Sequence, residues 1–361
     1  MMDRSTALLC GRLRTARKPE DVFGPIAEGP LSERLLAVKH VFNNFVVLLH
    51  PDRNPDVTDA GQHVARLKDL RAAAEKLLKD GTYGKPRRAT LTAVLRSRAG
   101  TYKVLEEFRV GDIADLFIGE TDETRCLLKV VRQPRDNDLL DIEARTLAAL
   151  HGETGEKATV FQKYLPKLLD SFALIESGGR QRKVNVLNVA DGYYSLAEVR
   201  EAYPDGLDTR DAAWMIRRAF EVLSWIHDLG YVHGAVLPEH VLVHPQKHGA
   251  RLVGWSYAVR TGMRLTAISA SRKDMYPASV LRREPATPAL DIQLAGQCAL
   301  LLLSDRVGKL RADVPKDVVT FFEHCCKGKT ENGAEAYCTY DELLKKNFGK
   351  RTYRAFAMPS R

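Results

Sequence analysis

Two histidines seven residues apart, His233 and His240, lie in the loop Y-V-H-G-A-V-L-P-E-H-V-L-V at 231–243. Imidazole is the side chain best suited to proton transfer near neutral pH and to transition-metal ligation. Acid–base work needs a partner within hydrogen-bond reach. Ala235, two residues beyond His233, supplies none, so His233 reads as a buried, hydrogen-bonded core histidine. His240 is a lone imidazole without an Asp beside it, and cannot build the oxygen site that Mg²⁺ requires. A second candidate is His50-Pro51-Asp52, where proline fixes a loop and Asp52 offers a directed, charge-assisted contact. His324-Cys325-Cys326 with Cys338 holds metal-binding atoms, but adjacent cysteines are poor chelating geometry. No metal site is expected.

The 361 residues are long enough for two domains, and 45 % hydrophobic with 28 % charged residues suits globular folding. The six cysteines are scattered without a CxxC pair, which argues for reduced thiols and a cytoplasmic setting. Apolar runs at 45–49 and 298–303 are too short to span a bilayer, and the basic N-terminus lacks the apolar core of a secretory signal. A net charge of +9 permits acidic partners but is more often a solubility device.

Apolar residues at helical spacing from Leu35 to Leu49 predict a helix starting near Pro30. It must stop near His50, because Pro51 disfavours helical geometry in the residue before it. A second helix is predicted from about Thr58 to Lys79, with Gly81 ending it. Two helices joined by His50-Pro51-Asp52 resemble the J-domain, from about Glu20 to Gly84. That resemblance implies docking on the seventy-kilodalton heat-shock chaperone through His50, Pro51 and Asp52, with Asp52 meeting a chaperone arginine. The family's basic stripe is thinned here to Lys39 and His40, with Asn43, Asn44 and Leu48 beyond, which predicts weaker steering. The stretch after Lys85 reads as a basic connector, partly helical at 91–95.

Beyond Tyr102 the pattern gives strands at 102–108, 114–120 and 125–131, a helix at 139–150, and strands at 168–174 and 184–189. A long helix follows at 211–229. Strands followed by helices predict a two-layer α+β arrangement. With the 231–243 loop, this order resembles the protein-kinase fold from roughly Tyr102 to Phe348. Lys129 resembles the family's strand lysine, Glu143 its ion-pair partner, 184–190 the strand into the hinge, and Asp291 the brace of the catalytic loop. The departures are concentrated in the chemistry. Ala235 stands at the base, Leu237 at the loop's basic residue, His240 and Gly254 at the two metal ligands. Only Gly111 remains of the phosphate-cradling glycines, with Arg109 and Ala114 at the others. The family's stabilising ion pair falls near Ser279 and Ala336, where both partners are absent. His233-Gly234 and Gly254-Trp255 also echo small-molecule phosphotransferases of the aminoglycoside-kinase type, which need the same two aspartates.

The expected organisation is therefore a basic lead (1–19), a J-domain-like module (20–84), a basic linker (85–101), a pseudokinase domain (102–348) and a basic tail (349–361). The fold class is mixed: an all-α helical hairpin, then a two-lobed α+β fold. The leading function is a co-chaperone adaptor whose kinase-like domain is catalytically inactive and binds an unknown protein client. It requires no cofactor. The alternative is an unconventional protein or small-molecule kinase with residual, metal-independent ATP binding at Gly111, Lys129 and Glu143, using relocated acids such as Asp191 or Asp228. Nucleic-acid tethering through the linker and tail is the weakest reading, and no membrane partner is expected.

Overall fold

The computed structural model describes residues 6, 9, 10, 13, 16, 19–50, 60–81, 83–84, 93–176, 178–305 and 307–358. The chain divides into two compact units, Met1–Thr90 and Leu91–Ser360, with Arg361 grouped with the first.

The smaller unit contains α1 (Glu20–Phe23), α2 (Leu31–Leu49) and α3 (Ala60–Lys79). Glu33 in the first turn of α2, and Lys76 and Lys79 in the last turn of α3, complement the helix dipoles. Helix α2 ends where Pro51 requires it to, with His50 extended at φ −68° and ψ 127°. Pro51 and Asp52 lie outside the described residues. Val38, Leu49, Leu67, Leu70, Ala74 and Leu78 form the core. Leu9, Cys10, Leu13 and Ala16 join that core, and residues 9, 10 and 13 are helical. The lead expected to be merely basic thus carries an apolar stripe at helical spacing. Arg66 donates to the Ala16 carbonyl at 2.9 Å and Tyr83 to that of Gly24 at 2.8 Å, tying the core's ends together.

In the larger unit, β1 (Ala93–Arg96), β2 (Thr101–Val110), β3 (Ala114–Glu120), β4 (Arg125–Val131), β5 (Leu168–Ile175) and β6 (Gln181–Asn188) form one antiparallel sheet in the order β1-β2-β3-β4-β6-β5. The helix expected at 91–95 is corrected to strand β1, so the linker expected over 85–101 is partly sheet. A tight turn explains it: Ser97 N–H donates to the Gly100 carbonyl, and its Oγ accepts from the amides of Ala99 and Gly100. This turn sets Ala93 opposite Val104. Helix α4 (Asn137–Gly152) packs on the sheet, followed by α5 (Glu156–Phe161).

The rest is mainly helical. Short strand β7 (Tyr194–Ser195) leads into α6 (Leu196–Ala202), whose start is a reciprocal capping box between Ser195 and Glu198. Helix α7 (Thr209–Asp228) is capped by the Asp208 side chain and buries one long face. After it come β8 (Tyr231–Val232), β9 (Val241–His244), β10 (Gly249–Leu252), β11 (Val259–Arg260), α8 (Ala278–Leu281), α9 (Pro288–Leu303), α10 (Lys316–Cys326) and α11 (Gly333–Phe348). Helices α7 and α11 approach so closely that a Cβ on Gly333 would lie 2.2 Å from the Ser224 nitrogen. Phe220, Phe321 and Tyr340 interlock beside this crossing, with ring centroids 5.6–6.1 Å apart.

The basic tail is folded back through residue 358. Arg351 pairs with Asp341, and Arg354 pairs with Asp208 at 2.8 Å and Asp211 at 3.2 Å. Arg351 and Arg354 are thereby neutralised within the chain, which weakens the tail's support for nucleic-acid tethering. Among the described residues no helix is long and apolar enough to cross a membrane.

Candidate functional site

Lys129 projects from the middle of β4, where alternation turns it to the same side of the sheet as helix α4. Its Nζ donates to Glu143 Oε1 of α4 at 2.8 Å and to Ser256 Oγ at 2.9 Å. The other Glu143 oxygen accepts from Asn185 Nδ2 of β6 at 3.1 Å, and Asn185 also donates to the Leu140 carbonyl at 2.9 Å. Asn185 Oδ1 accepts from Ser171 Oγ at 2.7 Å. Glu143, Asn185 and Ser256 are all buried, so this is a satisfied internal network.

Asp291, on α9, is fully buried and gathers the 231–243 loop. One oxygen accepts from the Gly234 amide at 2.8 Å; the other accepts from the His233 amide at 2.7 Å and His227 Nε2 at 3.0 Å. His227 Nδ1 accepts from the Gly333 amide at 2.9 Å, which places the ring proton on Nε2, facing Asp291. Gly234 has φ +75°, and a Cβ there would lie 2.6 Å from the Tyr257 carbonyl oxygen. The loop therefore needs glycine at that position. Ala235 and Leu237 are both buried in the core.

His233 is also wholly buried. Its Nε2 lies 3.1 Å from the Val253 carbonyl, its Nδ1 accepts from the Ala235 amide at 3.3 Å, and its ring meets Trp255 edge-on. Burial pushes its pKa from the ordinary 6.5 down to about 3, against the pull of Asp291. The unfolded ring takes a proton that the folded ring refuses. Stability should therefore fall as pH drops from about 6.5 toward 3, by up to about 1.4 kcal/mol per pH unit from this group. In NMR titrations its ring signals should hold their neutral positions down to about pH 4.5. A midpoint above about 5 would contradict the buried neutral ring.

His240 does something the sequence did not disclose. Its Nδ1 lies 2.8 Å from the Ala235 carbonyl, and its ring stands against Gly254. Gly254 has φ +86°, and a Cβ built there would lie 2.7 Å from both Cγ and Nδ1 of His240. Burial, with Lys129 nearby, holds the imidazole below its ordinary pKa. His240 was expected as a solitary ligand-type side chain beside a missing carboxylate; its ring instead occupies the space into which a carboxylate at 254 would grow.

Similar solved structures include that of vaccinia related kinase 3, with a TM-score of 0.53 and 16 % identity over 75 % of this chain and 96 % of that one. The BubR1 kinase domain is also similar, with a TM-score of 0.51 and 13 % identity over 78 % of this chain and 95 % of that one. The fold is protein-kinase-like. No protein-family model and no curated protein matches the sequence.

In this kinase-like fold, Gly111 and Ala114 stand in the β2–β3 turn. The Gly111 amide donates to the Ala114 carbonyl at 3.1 Å, and a Cβ on Gly111 would lie 2.6 Å from that oxygen. Between them, Asp112 Oδ2 accepts from Ser269 Oγ, Ser271 Oγ at 2.9 Å and the Ser271 amide at 3.2 Å. Burial pushes the Asp112 carboxyl up, but these hydrogen bonds hold it below its ordinary pKa. Arg109, at the end of β2, reaches Glu198 of α6 at 3.2 Å. The turn of the sheet is thus fastened to the helical part at two points. Glu239 of the 231–243 loop makes a two-pronged pair with Arg272.

Sequence reading found Lys129, Glu143, His233 and Asp291, and the structure brings Lys129 to Glu143 and the His233 amide to Asp291. It missed Asn185, Ser256, Asp112, Glu198 and the Glu239–Arg272 pair, whose partners lie far apart in the chain without a fixed spacing. Asp191 and Asp228, named as relocated acids, are in surface ion pairs with Arg125 and Lys157. Cys325 and Cys326 are pushed by burial to about 12 and about 11, keeping them as thiols. Among the described residues, no three His, Cys, Asp or Glu side chains converge as metal ligands.

Proposed function

We propose that this protein is a co-chaperone adaptor: a J-domain-like module joined to a kinase-like unit that is catalytically silent and binds a protein client. The observation that carries the silent reading is the coupled geometry of His240 and Gly254. A histidine ring takes the room of one metal carboxylate and stands at the position of the other metal ligand. Lys129, the residue that would meet phosphate, is already satisfied by Glu143 and Ser256. Ala235 supplies no base. Support for the chaperone arm is the His50-Pro51-Asp52 sequence between α2 and α3, together with the packed core those helices share.

The test is stimulation of a seventy-kilodalton chaperone's ATPase by the full chain. Wild type should accelerate it, and Asp52→Asn should abolish the acceleration. No acceleration by folded wild type would remove the chaperone arm.

The intact Lys129–Glu143 pair favours a second reading, nucleotide binding without metal at Gly111, Lys129 and Glu143. A thermal-shift titration with ATP separates the two readings. The silent platform gives no shift with ATP, the second reading gives a shift that is the same with and without Mg²⁺, and a metal-dependent shift of several degrees would restore the kinase reading.

A further inference from the structure

The folded-back tail is held in an unusual way. Residues 351–358 form neither helix nor strand, and their anchors to the large unit are mainly side chains. Tyr353 stacks on His248 at 4.6 Å, and His248 stacks on Trp214 at 4.2 Å with rings only 2° from parallel. Arg354 enters between Asp208 and Asp211 at the start of α7. Phe356 is buried against Tyr203 and the edge of Trp214, and Tyr203 Oη donates to the Ala357 carbonyl. This is how a linear peptide sits on a receptor: an extended segment, a cation in an acidic notch, and an aromatic ring in an aromatic pocket.

The tail also fits incompletely. Among the described residues, the buried Trp214 Nε1 and Thr209 Oγ1 have no hydrogen-bond partner. A cavity of about 290 Å³ adjoins Arg354, lined by Asp208, Thr209, Arg210, Asp313 and Phe348. Buried polar groups without partners are uncommon in native proteins and ask for a reason. Thr209 lines that cavity, so a longer or more polar segment along the same path has room beside it.

We propose that this groove is a peptide-recognition site, closed in cis by the chain's own segment 351–357. Its partner is an extended segment of another protein carrying the same basic-x-aromatic pair as Arg354 and Phe356. The proposal rests on the binding-platform reading and gives the client a chemistry. The tail is an intramolecular competitor at an effective concentration of order mM, so it sets a threshold that a client must exceed.

A fluorescent peptide of residues 349–358, and a scrambled control, would be titrated by anisotropy onto three full-length proteins: wild type, Arg354→Ala, and Arg354→Ala/Phe356→Ala. Arg354 is partly exposed, so the single variant loosens the tail without emptying a buried site; far-UV circular dichroism confirms folding. The peptide should bind the variants at least about tenfold more tightly than wild type. Adding Asp211→Asn should then weaken that binding, and the scrambled peptide should not bind. Absence of binding to the folded variants overturns the proposal. So does equal binding to wild type and variants, or binding indifferent to Asp211→Asn, because the peptide then sits elsewhere. None of these failures touches the silent kinase-like reading, which is tested separately by the Mg²⁺–ATP titration.

Discussion

Replacing Lys129 with methionine is expected to destabilise the kinase-like unit by about 3–5 kcal/mol, the usual cost of stranding one member of a buried ion pair. The side chains of Lys129 and Glu143 are 11 % and 1 % exposed, so solvent cannot take over the ammonium's role. Asn185 would remain as the hydrogen-bond partner of one Glu143 oxygen, and the charge itself would be uncompensated. Removing both charges in Lys129→Met/Glu143→Leu should recover most of the loss, because two apolar groups can replace a buried pair nearly neutrally. Asn185 keeps its bond to the Leu140 carbonyl in that variant. Urea unfolding followed by tryptophan fluorescence reports on this unit alone, since the chain's three tryptophans, Trp214, Trp225 and Trp255, all lie within Leu91–Ser360. A loss below about 1 kcal/mol for the single variant would mean the pair behaves as a solvated one.

Gly254→Asp, which adds a carboxylate of the kind a metal site would need, should harm the fold before it helps any chemistry. A non-glycine residue at φ +86° costs about 1–3 kcal/mol, and forcing Cβ into the His240 ring adds roughly 1–3 kcal/mol of overpacking. The expected loss is about 2–6 kcal/mol, with no gain of Mg²⁺–ATP binding. Gly254→Asp/His240→Asn should regain the steric part while keeping the backbone strain. The same fluorescence-monitored unfolding, with a Mg²⁺–ATP thermal shift beside it, checks both points. A Gly254→Asp protein as stable as wild type, or one that binds Mg²⁺–ATP with His240 in place, would show that the ring is not the obstacle.

What the sequence disclosed, and what it withheld, follows from the range of each interaction. Strands β3 and β4 were legible because alternation is a local signal, and Lys129 and Glu143 because their segments resemble the strand lysine of the protein-kinase fold and its partner in the next helix. Asp291 was legible through the same resemblance, as the aspartate that braces the 231–243 loop. The 91–95 run was misread because a short apolar stretch suits helix or strand alike, and only pairing with β2 decides. The stripe through Leu9, Leu13 and Ala16 was present but masked by the arginines between. The closure of Asp112 on Ser269 and Ser271 joins residues 157 and 159 positions apart, and no local pattern carries such a contact. His240 was noticed, yet as a ligand type; its real neighbour, Gly254, is defined only by tertiary packing.

The close crossing of α7 and α11 also has a consequence in time. Phe220 and Leu223 of α7 are fully buried, covered in part by Tyr340 and the backbone at Gly333. That cover is encoded about 100 residues after α7 ends, so at roughly 5–20 residues per second a ribosome would leave the face bare for about 5–20 s. The Met1–Thr90 unit draws its core from its own ninety residues and can close while synthesis continues. During manufacture, then, the chain passes through a state with a finished head and an aggregation-prone body. Its yield in the cell should depend on how well that interval is protected.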